Sequence, residues 1–305
     1  MKPSTARASD LDRVPEPKSE RIDLITSLPI LTMHIGALGV LFVSFSWTAL
    51  GVCLFLYALR ACFITGIYHR YFSHKTYKTS RVFQFILALV GTTAAQNGPL
   101  WWAAHHRRHH RYSDQEGDIH SPIVNSVFWS HFGWLLSKEH FHTDYKVVQD
   151  FSKYPELRFL DKYHMLMPIA LGVFMFWLGE FLATHYPSLG TTGPQMLFYG
   201  FFLSTVILYH ATFLVNSMAH LWGTRRFKTS DHSRNNWLIA ILAMGEGWHN
   251  NHHRYPQSER QGFYWWEIDV THYGLYFLSK LGLVWNLNRP PQHIYEEARR
   301  LKSVK

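Results

Sequence analysis

Cysteine is nearly absent: the 305-residue chain has only Cys53 and Cys62. With both in the second apolar span, no disulfide framework is implied. Cations are missing over long windows, with no Lys or Arg from 23 to 59 and none from 163 to 224. Acidic residues are also scarce, 21 against 30 Lys and Arg, which leaves a net charge of +9. The first twenty residues are polar and lack the short apolar core of a cleavable signal peptide. Neither low-complexity sequence nor an internal repeat, beyond two paired apolar segments, is present.

Apolar residues make up 47% and aromatics 16%, yet mean hydropathy is near zero. Strongly apolar spans must therefore alternate with very polar segments. A membrane-crossing helix needs about 20 apolar residues. Four stretches qualify: 24–45 and 47–68, joined at Ser46, then 165–185 and 195–219, joined by the uncharged loop 186–194. The expected fold is an all-α integral membrane protein, with four spans in two hairpins and a helical cap. The basic segments face the cytoplasm by the positive-inside rule, which puts both termini there. The layout is a polar tail 1–23, a membrane domain 24–290 whose cap comprises 69–164 and 220–290, and a polar tail 291–305. Residues 83–103 form a fifth apolar stretch. Gln96, Asn97, Gly98 and Pro99 interrupt it, so it reads as an interfacial or re-entrant helix. Arg60 lies inside the second span, about 13 Å of helix rise before His69. It is expected to snorkel toward the cytoplasm or to sit where the helix projects below the bilayer.

Histidine dominates the polar segments. His69 and His74 stand in HRYFSH, His106, His109 and His110 in HRRHH, and His249, His252 and His253 in HNNHH. Eight imidazoles exceed what one metal ion accepts, and their chemistry suits a transition metal, so two ions are expected. In the last two clusters the spacing i, i+3, i+4 puts all three rings on one helix face. In the first cluster the spacing is i, i+5, so its two rings diverge and need not share an ion. His220 and Asn216 lie one turn apart at the cytoplasmic end of the fourth span. His220 offers a ninth imidazole, and Asn216 a hold on a metal-bound water. No HExxH occurs, which excludes that zinc-protease motif. Glu139–His142 and Glu246–His249 have the Glu-x-x-His spacing of carboxylate-bridged di-iron bundles, but the further glutamates are missing. Glu246 reads instead as a residue that orients a ligand imidazole.

A metal centre beneath apolar spans points to chemistry on a lipid-like chain. An all-nitrogen ligand set leaves iron with positions for O₂, and so implies oxidation of an unactivated C–H bond. The basic face suits anionic lipids, a phosphate-bearing substrate or an acidic electron carrier. Membrane topology already accounts for these charges, so nucleic acid is not an expected partner. A histidine-lined metal transporter is the rival from another class. Transport sites sit near the bilayer midplane, however, and these clusters do not.

The segments HRYFSHKTYK, NGPLWWAAHHRRHHRYSD, SHFGWLL, LVNSMAHLWG and GEGWHNNHHRYP resemble membrane-bound fatty acyl desaturases of the delta-9 acyl-CoA type. MHIGALGV is similar to the family's first helix, and the likeness runs over residues 22–286. The resemblance implies two irons held by His69, His74, His106, His109, His110, His220, His249, His252 and His253, with Asn216 reaching one through water. It implies an O₂-dependent, two-electron removal of two hydrogens from a saturated acyl chain, leaving a cis bond between carbons nine and ten. Asn97 matches a head-group contact, and Trp102 falls among the expected substrate contacts. Ala104 and His105 replace an Arg-Asp pair that meets the CoA head in animal members. Phe213 replaces a tryptophan. The acyl carrier thus stays open between CoA, carrier protein and phospholipid. Tyr57 is a candidate floor for the acyl tunnel. No haem-binding segment is found, so electrons are expected from a separate ferredoxin, rubredoxin or cytochrome with its reductase. The pattern looks most like bacterial members, hence the cytoplasmic membrane. A membrane di-iron hydroxylase shares the three boxes and remains the alternative.

Overall fold

The structure is a computed structural model and describes residues 21–303. It is mostly helical, as expected. Four helices are long and apolar enough to cross a membrane: Leu24–Phe42, Trp47–Ser73, Leu166–His185 and Gly193–Leu221. The first and third are 22% buried, the second 39% and the fourth 44%, so the second and fourth form the centre. The fourth packs against all three others. The hairpin turn at Ser46 is tight because its hydroxyl accepts the Ala49 N–H and starts the second span at once.

Both central spans contain π-helical stretches, Ile64–Ser73 and Met196–Leu203. Such wider turns are rare and concentrate at functional sites. The first carries the first histidine box.

The stretch 83–103 is not a span. Helix Arg81–Thr92 is only 12 residues, about 18 Å long, well short of a bilayer core. After a break comes helix Pro99–Tyr112, which carries the second box. Proline suits its first turn, but Gly98 offers no side chain to cap it. Asp161, from helix Pro155–Lys162, caps it from outside and accepts the Leu100 and Trp101 N–H groups at 3.1 and 2.8 Å. Gly98 is obligatory here, since a Cβ would lie 2.4 Å from the Asp161 Cα.

The cap closes under the spans through buried polar contacts. Arg70, fully buried, pairs with Asp269 at 2.9 Å and Glu246 at 3.2 Å, which ties the first box to the C-terminal third. Arg107 clamps the second-box helix onto the end of the second span through the Phe72 and Ser73 carbonyls and Asp150. A two-residue antiparallel ladder pairs Lys78 with Trp285 and Thr79 with Val284.

Two expectations change. Residues of the supposed C-terminal tail form helix Gln292–Ser303, which buries Ile294 and Ala298 against Phe227 and Phe263. Arg60 does not snorkel. It is 1% exposed and donates to the Ser204 and Thr205 hydroxyls and to the Leu56 and Thr93 carbonyls. Satisfied donors on neighbouring segments make burial tolerable where lipid would not. The expected tail 1–23 falls almost wholly outside the described residues.

Candidate metal centre

The nine histidines meet in two adjoining groups. His69, His74, His106, His110 and His252 form one; His109, His220, His249 and His253 form the other. Within each, one nitrogen per ring lies within 4.8 Å of all the others. The groups abut through the rings of His110 and His253, stacked at 4.4 Å. No carboxylate enters either group.

His69 and His74 were expected to diverge, yet their rings are 4.9 Å apart. The π-helical turn is the reason. The His74 N–H bonds back five residues to the His69 carbonyl at 3.3 Å, so an i, i+5 pair shares a face. The single-face reading of the HxxHH boxes is corrected too. On each box helix the i and i+4 rings join one group and the i+3 ring the other. Consecutive residues point about 100° apart on an α-helix, so the adjacent His109 and His110 must part. His252 and His253 separate in the same way.

The donor set fits metal ions. Nε2 atoms face each other at 3.0 Å between His69 and His252, 2.8 Å between His252 and His110, 2.9 Å between His74 and His106, and 3.0 Å between His220 and His249. Four rings have the opposite nitrogen committed to a carboxylate. Nδ1 of His69 meets Glu246 at 2.5 Å, His109 meets Asp118 at 3.0 Å, His220 meets Asp114 at 2.8 Å and His253 meets Asp231 at 2.7 Å. Donation from Nδ1 leaves a bare lone pair on Nε2, aimed inward. The His253 Nε2 is buried without any hydrogen-bond partner. This carboxylate–histidine arrangement orients ligating imidazoles and raises their basicity.

Electrostatics agree with neutral ligands. Burial, reinforced by neighbouring imidazoles, pushes His74, His106, His110, His249 and His252 well below the usual histidine range. Burial also takes His253 to about 4, against the pull of Asp231. Burial would raise Asp114, but the His220 bond outweighs it and holds the carboxyl at about 2. Asp118 and Asp231 are likewise drawn below the carboxylate range by His109 and His253, which outweigh burial.

Two cavities border the centre. The larger, about 870 Å³, is lined by Ile30, Asn97, Trp102, His106, Phe213 and Asn216 among others. The second, about 520 Å³, lies between Ala61, Ile64, Leu208, Ala211 and the rings of His69, His106, His109 and His249. Trp102, His106, Thr212 and Asn216 line both, so the two adjoin beside the metal groups. Asn216 sits with His109 and His249 on the wall of the second. Asn97, Trp102 and Phe213 all line the first cavity. Tyr57 lines neither cavity, since its hydroxyl is turned to the Leu242 carbonyl.

A family model for fatty acid desaturases matches residues 45–285. The chain is 38% identical over 270 residues to the sn-1 stearoyl-lipid 9-desaturase of Anabaena variabilis, covering 88% of this chain and 94% of that one. It is also 38% identical to the sn-2 palmitoyl-lipid 9-desaturase of Nostoc sp. (strain 36), over 81% of this chain and 85% of the relative. The acyl-CoA C20 delta5-desaturase of Anemone leveillei matches at 35% identity over 94% of each chain.

The chain belongs to the fatty acid desaturase family. As a desaturase it is an oxidoreductase, and the di-iron centre is that family's norm. Three carboxylates at this centre escaped sequence reasoning: Asp114, Asp118 and Asp231. For the first two the signal was position, since Asp114 and Asp118 follow the second box four residues apart in an acid-poor chain. A chain of histidines was missed as well. His34 Nε2 lies 3.2 Å from His210 Nε2, His210 Nδ1 3.0 Å from His131 Nε2, and His131 Nδ1 2.9 Å from the Ser217 hydroxyl, next to Asn216. It joins the first span to Ser217, where helix Ser204–Asn216 of the fourth span ends.

Proposed function

We propose that the protein is an O₂-dependent fatty acyl desaturase that places a cis double bond at carbons nine and ten of a long-chain saturated acyl group. One observation carries this reading: the two all-imidazole groups border two adjoining cavities, the inner one walled largely by apolar side chains. A chain threaded through both cavities would present an interior methylene pair to the centre, not its end. The nine histidines would hold two irons, five imidazoles on one and four on the other, with Asn216 completing the four-histidine site through water. Bound there, the irons supply O₂ activation and electron storage. The protein's own residues hold the chain and exclude water: Trp102 and Phe213 flank it, and Glu246, Asp114, Asp118 and Asp231 fix the ligand tautomers. The reaction balances as one saturated acyl chain, O₂, two electrons and two protons giving one monoene and two waters.

Similarity to both acyl-lipid and acyl-CoA enzymes supports a carrier-bound substrate, a glycerolipid or CoA ester. The electrons come from a separate ferredoxin, rubredoxin or cytochrome with its reductase. The charge pattern supports the cytoplasmic membrane, with termini and metal centre on the cytoplasmic side.

The test is expression in a host lacking the product, with mass-spectrometric location of double bonds in its fatty acids. New cis-9 monoenes that vanish with His249→Ala are expected. Hydroxylated chains would move the assignment to a hydroxylase, and monoenes at another carbon would overturn the regiochemistry alone.

A further inference from the structure

Helix Pro155–Lys162 leads straight into the third span and presents Arg158 and Lys162 one turn apart, hence on one face. Arg158 lies over the Tyr145 ring at 5.1 Å and Lys162 over Tyr163 at 5.0 Å. Neither forms an ion pair among the described residues. Both line a cavity with His142 and His164, and the His164 Nδ1 is buried without a hydrogen-bond partner. The same cavity shares Asn97, Trp101 and Phe141 with the large passage beside the metal groups.

One carboxylate reaches its wall, and it is fully engaged. Asp161 accepts from the Leu100 and Trp101 N–H groups, from the Thr143 hydroxyl at 2.7 Å and from the Tyr145 hydroxyl at 3.0 Å. The cavity therefore holds two cations against one carboxylate whose lone pairs are already taken, and keeps a net positive charge. Its height is set by exposed Phe159, Tyr163 and Leu166, apolar and aromatic anchors of the kind that sit at head-group level.

We propose that this cavity binds the phosphate of the acyl carrier while the acyl chain occupies the adjoining passage. Guanidinium and ammonium donors suit a phosphate oxygen, and a neutral, sugar-headed or unsubstituted glyceride has nothing to offer them. The identity of the chain in the passage rests on the desaturase reading; binding of the phosphate does not.

The test is native mass spectrometry of the purified, detergent-solubilised protein, comparing wild type with R158A/K162A. The probes are distearoyl phosphatidylglycerol, stearoyl-CoA and distearoylglycerol. Retention of a phosphate-bearing probe should fall roughly ten- to hundredfold in the double variant, the worth of one or two charged hydrogen bonds. Distearoylglycerol should be unaffected, and R158K/K162R should restore binding. Loss confined to phosphatidylglycerol makes the source a glycerophospholipid; loss confined to stearoyl-CoA makes it the thioester. Equal retention of both phosphate probes by wild type and double variant overturns the site. Since binding is read without turnover, an enzyme that desaturates but ignores phosphate refutes this site alone. A phosphate-selective protein that makes no monoene refutes the desaturase reading alone.

Discussion

Asp231→Asn should invert one histidine and weaken one metal site. In the native chain Oδ1 of Asp231 accepts the Ser233 N–H at 2.9 Å, while Oδ2 takes the His253 Nδ1–H at 2.7 Å. A backbone N–H must meet an oxygen, so the asparagine carbonyl is pinned toward Ser233. Its NH₂ then falls where Oδ2 was and donates to the His253 Nδ1. The ring proton moves to Nε2 and now points at the metal, where a lone pair is needed. The four-imidazole group drops to three usable ligands, and the five-imidazole group keeps all of its own. Loss of such a supporting partner costs about ten- to hundredfold in metal affinity, or roughly 1.4–2.7 kcal/mol. Equilibrium dialysis against graded free Fe²⁺, followed by elemental analysis, should show two ions per chain at saturation for both proteins. The variant should have one affinity shifted and one unchanged, and His253→Ala should reproduce that pattern. Unchanged binding at both sites, or equal loss from both, would refute the tautomer argument.

Acid should destabilise the metal-free protein early. Burial holds His74, His106, His110, His249, His252 and His253 below their unfolded pKa of about 6.5, so the unfolded chain binds more protons there as pH falls below that value and stability declines toward pH 4. Thermal melts in chelator at pH 8, 6.5 and 5 check this, and identical midpoints would count against it. Ala61→Phe should fill the second cavity and shift products toward shorter chains, read by fatty-acid profiling; an unaltered profile would mean the chain does not end there. Gly98→Ala should force Asp161 off the second-box helix, destabilise by about 1–3 kcal/mol and loosen both metals together, measured by melting and metal content. Loss of one metal only would show that the cap acts locally.

The spans were legible because uncharged apolar runs of that length have few other uses. The ligand residue types were legible because three histidine boxes rarely arise by chance. Their assignment to two groups was not, because it depends on a π-turn at His69 and on the angular divergence of His109 from His110. Asp231 was hidden since its partner lies on a different element, and a lone aspartate in a polar loop carries no signal. Arg60 misled for a related reason: the hydroxyls of Ser204 and Thr205 that satisfy it belong to another span. Helix Gln292–Ser303 was read as tail because only its Ile294 and Ala298 are buried.

Each HxxHH helix gives rings to both groups, and the first box lies far from the third in sequence. During biosynthesis neither site can therefore be finished by the part of the chain already made. Until His253 has emerged and docked, the earlier imidazoles offer an incoming ion only partial holds that exchange freely. Retention of metal thus becomes a report on complete synthesis and correct docking, and a truncated chain is left open to the proteases that patrol the membrane.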